Sequence, residues 1–320
     1  MAVIEDPDAL PRRTALPQVS ILTATYNRSN VLRLVIETVR RQTIADWEWV
    51  IVGDQCTDDT ADVVASFADP RIRFVNLEDG YGEQSGPNNE AFRLARAPHL
   101  AYLGHDDLWL PDHLEVTLAA LRVTGADLVY PLVESILPGE TRLVGTSASG
   151  RYAPYVYVPP SAWVLRRELI EELGPWRPAR ECHEAPSEDL LFRAWRAGKD
   201  MRLVPRLTAV VLPAAYRPGV YARRDSWEHE ALVARMRDEP DFRERELSAL
   251  VFRLGAAQHD VVPGITRALR NGVRQGLSAL GFRPMAVRRC LQYGRKGALV
   301  NDLRRRRGLP TIDWTRGAQP

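Results

Sequence analysis

The sequence predicts an α/β fold built on a doubly wound, mostly parallel sheet, with a mainly helical C-terminal extension. Three observations carry that prediction. Short apolar runs rich in β-branched residues recur between residues 18 and 133. Helix-length segments with one apolar face separate them, which is the pattern of a parallel sheet covered on both sides. Small and polar residues cluster directly after each run, where such a sheet binds ligands beyond its carboxyl edge. The chain has 320 residues, 45% hydrophobic and 26% charged, enough to bury a sizeable core. This composition excludes a wholly disordered chain, and no apolar run approaches the ~18 residues of a spanning helix.

The elements follow in order. Gln18 to Ala24 is a buried strand, and Val31, Leu34, Val35 and Val39 share one face of a helix over 30–42, with Ser29 or Asn30 able to cap it. Trp47 to Gly53 is the second strand, Thr57 to Phe67 a helix, and Arg71 to Asn76 the third strand. A helix over 87–96 leads to a fourth strand from Leu100 to Leu103. A helix over 111–123, with Leu114, Leu118 and Leu121 in register, precedes a fifth strand from Asp127 to Val133. Residues 138–162 read as loops and short strands. Helices over 166–173 and 187–197 and strands near 201–205 and 207–212 follow, and 225–309 is mostly helical. The expected division is a loose arm over 1–17, an α/β domain over 18–220 and a helical, basic region over 221–320. The first residues lack the apolar stretch of a secretory signal, so a cytoplasmic location is expected. Cys56, Cys182 and Cys290 are too scattered for a disulfide framework or zinc site and read as free thiols.

The chemistry should sit after the strands. Thr23-Ala24-Thr25-Tyr26-Asn27-Arg28 follows the first strand; its hydroxyl and amide groups suit a nucleotide base or phosphate, or simple turn chemistry. Asp54 follows the second and can accept from a base N–H, whereas Thr57, Asp58 and Asp59 read as helix caps. Gly86 and Asn89 lie in a glycine-rich stretch that permits close ligand approach. Asp106 and Asp107 follow the fourth strand. Adjacent carboxylates repel unless compensated, so the pair is either a turn or a site for a hard divalent cation. Glu188 and Asp189 open an amphipathic helix, where they either favour its dipole or supply a general base.

Together these segments resemble the family 2 glycosyltransferases. The family's T-x-Y-N-R is met by Thr23 to Arg28, and its D-D-G-S-T-D-D-T by Gly53 to Thr60. Gly86 and Asn89 fit G-x-x-x-x-R-N, with Asn88 at the arginine. Leu103 to Asp107 with Pro111 fits L-D-x-D-D-x-x-x-P, and Arg166-Arg167 through Gly174-Pro175-Trp176 fits the later R-R and G-x-(W/F) segment. Glu188-Asp189 fits E-D. Gly53 and Gly104 replace family aspartates, and Tyr216-Arg217-Pro218-Gly219 offers no histidine where many relatives place a metal ligand.

The resemblance implies the GT-A fold and an inverting transferase using a UDP- or dTDP-sugar. It implies that Thr23, Thr25, Asn27, Arg28, Asp54, Gly86 and Asn89 bind the nucleotide and that Asp106, with Asp107, holds Mg2+ or Mn2+. Asp189 would be the base, with Glu188 beside it. The acceptor would be a carbohydrate, a lipid-linked sugar or a small molecule, shaped by Tyr152 to Trp163 and Glu181 to Glu188. A non-catalytic nucleotide-binding protein of the same fold is the rival expectation. Residues 261–320 carry 13 Arg or Lys against 2 acidic residues and end in Arg304 to Arg307. Such a tail suits a solvated helix face, a phosphate or peripheral contact with an anionic membrane. No aromatic interleaving accompanies it, which argues against nucleic acid.

Overall fold

A computed structural model describes residues 16–259 and 264–314. Most of the expected N-terminal arm, residues 1–15, lies outside the described residues, as do 260–263 and 315–320.

The first half alternates as expected. Strand β1 (Val19–Thr25) leads to α1 (Ser29–Arg40), and β2 (Trp47–Gly53) to α2 (Thr60–Ser66). Strand β3 (Ile72–Asn76) leads to α3 (Ser85–Leu94), then β4 (His99–Tyr102), the short β5 (Asp107–Trp109) and α4 (His113–Thr124). Every residue of β2 is buried, as a strand covered on both faces must be. Val31, Leu32, Val35, Ile36 and Val39 of α1 are fully buried, each worth roughly 1.5–3 kcal/mol of apolar burial. Helix α2 begins at Thr60 rather than Thr57. Asp58 turns its carboxylate to the Thr60 N–H (3.2 Å) and hydroxyl, so residues 57–59 form the entry loop.

Strands β6 (Leu128–Leu137), β7 (Glu140–Val144) and β8 (Val164–Arg166) follow, then α5 (Arg167–Leu173), α6 (Pro186–Arg196) and β9 (Met201–Val211). The two strands expected near 201–212 are one, carried across Pro205 by an irregular register against β6 around Leu132. The sheet order is β3-β2-β1-β4-β8-β6-β9-β5, with β7 on β6. The expected parallel pairing holds from β3 to β4 and again between β6 and β9. Antiparallel β8 joins these blocks, and β5 and β7 pair antiparallel at the far side, making the whole sheet mixed.

Helices α7 (Val220–Arg223), α8 (Trp227–Asp238), α9 (Phe242–His259), α10 (Gly264–Ala279), α11 (Pro284–Tyr293) and α12 (Ala298–Arg307) complete the chain. The last of these return to the carboxyl edge of the sheet. Arg283 forms a buried ion pair with Glu184 (2.9 Å), and the Gly297 N–H reaches the Cys182 carbonyl (2.9 Å). Helix α12 packs on the turn at Ala214–Tyr216. No helix among the described residues is long and apolar enough to cross a membrane.

Candidate functional site

A cavity of about 220 Å3 opens at the carboxyl ends of β1 and β4, where the alternation of elements locates a ligand. Ala24, Asn88, Asp106, Asp107, Tyr157 and Arg307 are among its lining residues.

Asp106 and Asp107 diverge there. Asp107 opens β5 and turns its carboxylate inward, accepting from the Ser161 hydroxyl and from the Leu212 N–H (3.2 Å). Burial, and then the neighbouring Asp106 charge, push its carboxyl up to about 7. Burial also pushes Asp106 up, but His105, Arg28, His229 and Arg307 together outweigh it and hold this carboxyl below its ordinary range. Asp106 therefore stays ionised. Among the described residues, the group that pairs with it is the His105 ring, 3.9 Å away.

Two histidines support Asp106 from behind. His105 Nδ1 lies 3.2 Å from the Ala24 carbonyl, which can only accept, so Nδ1 carries a proton, and Nε2 lies 3.3 Å from the Tyr221 hydroxyl. His229 Nε2 donates to the Asp106 main-chain carbonyl (2.9 Å). Burial holds both rings below the usual histidine range, against the opposing pull of the Asp106 charge.

The two glycines that replace family aspartates are fixed by packing. A Cβ on Gly104 would lie 2.6 Å from Asp107 Oδ2 and 3.2 Å from Ser161 Oγ. A Cβ on Gly53 would collide with the Asn76 side chain. Among the described residues, no cluster of three or more His, Cys, Asp or Glu could hold a metal. Asp106, an ionised carboxylate with no hydrogen-bond partner among the described residues, nevertheless fits a cation whose other ligands are donor phosphates and water, the usual manner for Mg2+.

The structure separates the other expected residues into contact and support. Thr23 is a buried strut, donating to the Leu103 carbonyl (2.8 Å) and accepting from the Trp49 indole (2.9 Å). It lies inside β1. Thr25 keeps a buried hydroxyl without a partner. Asn27 adopts φ +46° and binds the Thr57 and Asp58 N–H groups through its carbonyl oxygen (2.8 and 3.2 Å), tying two loops together. Arg28 is buried, with its guanidinium 5.4 Å from the Tyr221 ring centre. Asp54 accepts from the Tyr81 and Gly82 N–H groups (2.7 and 2.8 Å), fixing the loop over the site. Gly86 lies against the Tyr81 ring. Asn89 is likewise support, clasping both main-chain groups of Trp176 (2.9 and 3.0 Å), while its neighbour Asn88 lines the cavity.

Asp189 is not brought to that cavity. Its carboxylate pairs with Arg193 (2.9 Å), one turn on along α6, and with Arg177 (3.6 Å), and it lines a separate pocket between α6 and α11. After burial, Glu188 and then Asp107 push the Tyr157 hydroxyl upward, so Tyr157 stands in the field of both carboxylates. Glu188 also reaches toward Arg283 (3.6 Å).

Of the expected acceptor segment, Tyr157 lines the cavity, whereas Tyr152 and Trp163 are buried core residues. Sequence reading missed Tyr221 and His229, and singled out neither Ser161 within the expected acceptor segment 152–163 nor Arg307 within the four-arginine run. Ser161 and Tyr221 lie far along the chain from the partners that give them meaning. Arg307 had one signal, the four-arginine run.

Residues 20–174 match the family described as Glycosyl transferase family 2. A UDP-Glc:alpha-D-GlcNAc-diphosphoundecaprenol beta-1,3-glucosyltransferase of Escherichia coli is 30% identical over 118 residues, 37% of this chain and 46% of that protein. Validoxylamine A glucosyltransferase of Streptomyces hygroscopicus subsp. jinggangensis is 34% identical over 199 residues, 61% of this chain and 40% of that one. The chain thus spans less than half the length of each of these two relatives. Succinoglycan biosynthesis protein ExoO of Rhizobium meliloti is 27% identical over 307 residues, 91% of this chain and 84% of that protein. The crystal structure of S. aureus TarS 1-349 in complex with UDP-GlcNAc is similar with a TM-score of 0.53 at 16% identity, over 61% of this chain and 58% of that chain. That likeness is one of fold, and the expected GT-A architecture is borne out by it.

Proposed function

We propose, from the match of residues 20–174 to glycosyl transferase family 2, that this chain is an inverting transferase of that family moving a sugar from a UDP- or dTDP-sugar to an acceptor hydroxyl. The observation that carries this reading is Asp106, an ionised carboxylate held by cationic and imidazole groups in a cavity at the carboxyl ends of parallel strands. Asp106 would hold Mg2+ or Mn2+, with Asp107 behind it. A bound cation would neutralise charge on the leaving diphosphate.

The nucleoside lies over the Thr25–Arg28 loop and Asp54. The acceptor oxygen bonds to the anomeric carbon as the carbon–phosphate-oxygen bond breaks on the opposite face. The bonding electrons leave on the diphosphate, and the acceptor proton passes to a carboxylate at the start of α6. The motif assigns that role to Asp189, whose arginine partners would have to yield when acceptor binds. Catalytic hydrogen bonds in an empty site commonly tighten only in the complex. Glu188, whose charge acts on the cavity-lining Tyr157 hydroxyl, is the second assignment.

Asp189→Asn should lower kcat by about 10²–10⁴-fold with donor binding preserved, and Glu188→Gln should be milder. The reverse ranking in an acceptor-saturated assay would move the base to Glu188. The E. coli relative, by its name, acts on a diphosphoundecaprenol-linked sugar, which supports a lipid-linked acceptor and peripheral membrane contact through the basic region 221–320. Under this reading residues 18–220 hold the donor and catalyse. The absence of a three-ligand metal cluster among the described residues favours one rival, a non-catalytic nucleotide-binding protein.

A further inference from the structure

We propose that Arg307, in the last turn of α12, is the diphosphate-binding residue of this site, so that the basic tail completes it. The proposal rests on the nucleotide-sugar reading above and deepens it.

The four arginines of α12 have different fates. Arg306 pairs with Asp302 (2.9 Å), and Arg305 reaches the same residue (3.5 Å) from an exposed position. Arg304 is tied to the Gly82 and Pro310 carbonyls. Arg307 instead lines the cavity with Asp106 and Asp107, and its Nε is buried without a hydrogen-bond partner. A guanidinium presents a fork of N–H donors matched to phosphate oxygens, so an unpaired one beside a strand-end cavity is suited to an anion. Arg28, whose charge also acts on Asp106, donates to the Val220 carbonyl (3.1 Å), and its Nε is buried without a partner.

The placement is built by several independent contacts. Helix α12 rests on the Ala214–Tyr216 turn, and a Cβ on Gly308 would lie 3.3 Å from the Gly219 Cα, which marks how closely the two segments meet. Ile312 packs over Gly82, the loop glycine that Asp54 holds.

The charges agree. Gly104 leaves no second outward aspartate, and Asp107 turns to Ser161, so Asp106 lines the cavity together with the Arg307 guanidinium, and Arg28 acts on the same carboxylate. Negative charge grows on the diphosphate as the sugar departs, and preoriented cations stabilise it there.

The test is calorimetric binding of UDP, dTDP and uridine to the full chain, with Mg2+ and separately in excess EDTA. Arg307→Gln should weaken UDP or dTDP binding by about tenfold or more under both conditions while uridine binding stays unchanged. Arg305→Gln removes the same charge from the exposed face of α12 and should bind as wild type. Arg307→Lys, which keeps the charge and loses the fork, should fall between and carries the test if the glutamine variant unfolds. Wild-type UDP and dTDP affinity in Arg307→Gln overturns the proposal and leaves the transferase reading standing. So does an equal loss in Arg305→Gln, which would be a bulk charge effect, or a parallel loss of uridine. A wild-type chain that binds none of the three removes the nucleotide-sugar reading itself, and this proposal with it.

Discussion

Asp106 faces the cavity while Asp107 turns to Ser161 and the Leu212 N–H, so the two carboxylates should respond differently to substitution. Asp106→Asn should abolish metal-dependent turnover and weaken nucleoside diphosphate binding in Mg2+. Asp107→Asn should cost less, because an amide keeps one acceptor for the Ser161 hydroxyl; binding in Mg2+ and in EDTA separates them. Gly104→Asp will not rebuild a second outward ligand. Its Cβ would meet Asp107 Oδ2 at 2.6 Å, and crowding of this kind costs about 1–3 kcal/mol. The expected outcome is a lower melting temperature without gain in metal affinity. The D-x-D departure was legible in the sequence as a single glycine, but its reason was not. That reason is the inward turn of Asp107 onto Ser161, 54 residues along the chain.

Strands β1 and β2 announce themselves through a run of local apolar residues, and both were expected within a residue or two. Strands β5 and β8 have three residues each and gain their identity from partners on β9, β4 and β6, so no local pattern reveals them. The start of α6 shows the same limit. Its E-D pair is plain in sequence, but which carboxylate meets the cavity depends on Arg177 and Arg193.

Strand β6 carries a further consequence for stability. Glu134 is buried within it, with Oε2 lacking a partner, and faces Glu246 and Arg253 of α9 and Arg235 of α8. Burial first, and then Glu246, push its carboxyl from 4.5 up to about 8. The folded state thus holds this proton more tightly than the unfolded chain does. The resulting stability is full below the unfolded value and is lost as pH rises through about 8. Glu134→Gln should remove that loss. Its melting temperature should exceed that of the wild type by a growing margin from about pH 6 to about pH 9, followed by thermal unfolding. Identical pH profiles would show that Glu134 is ionised and solvated.

At the scale of the molecule, the tail is joined to the sheet edge through Arg283, whose guanidinium meets Glu184 and approaches Glu188. Arg283→Ala leaves Glu184 buried and unpaired, which typically costs about 3–5 kcal/mol. Limited proteolysis should then cut the tail faster than in wild type. Leu269, Val273, Leu280, Phe282 and Leu291 are exposed on the same basic region. Binding to anionic vesicles should exceed binding to neutral ones and weaken with salt, by ~1 kcal/mol per well-placed basic residue; equal binding to both would remove the electrostatic contribution. The central claim is that this site breaks the bond between a sugar and a nucleoside diphosphate. The most direct measurement is release of UDP or dTDP from a panel of UDP- and dTDP-sugars by the full chain with Mg2+ or Mn2+ and lipid-linked and simple sugar acceptors, with Asp106→Asn alongside. The account predicts release from at least one donor, inverted anomeric configuration in the product, and loss of both in the variant. A chain that binds these nucleotides but releases none with any acceptor would contradict it and leave the non-catalytic nucleotide-binding reading in its place.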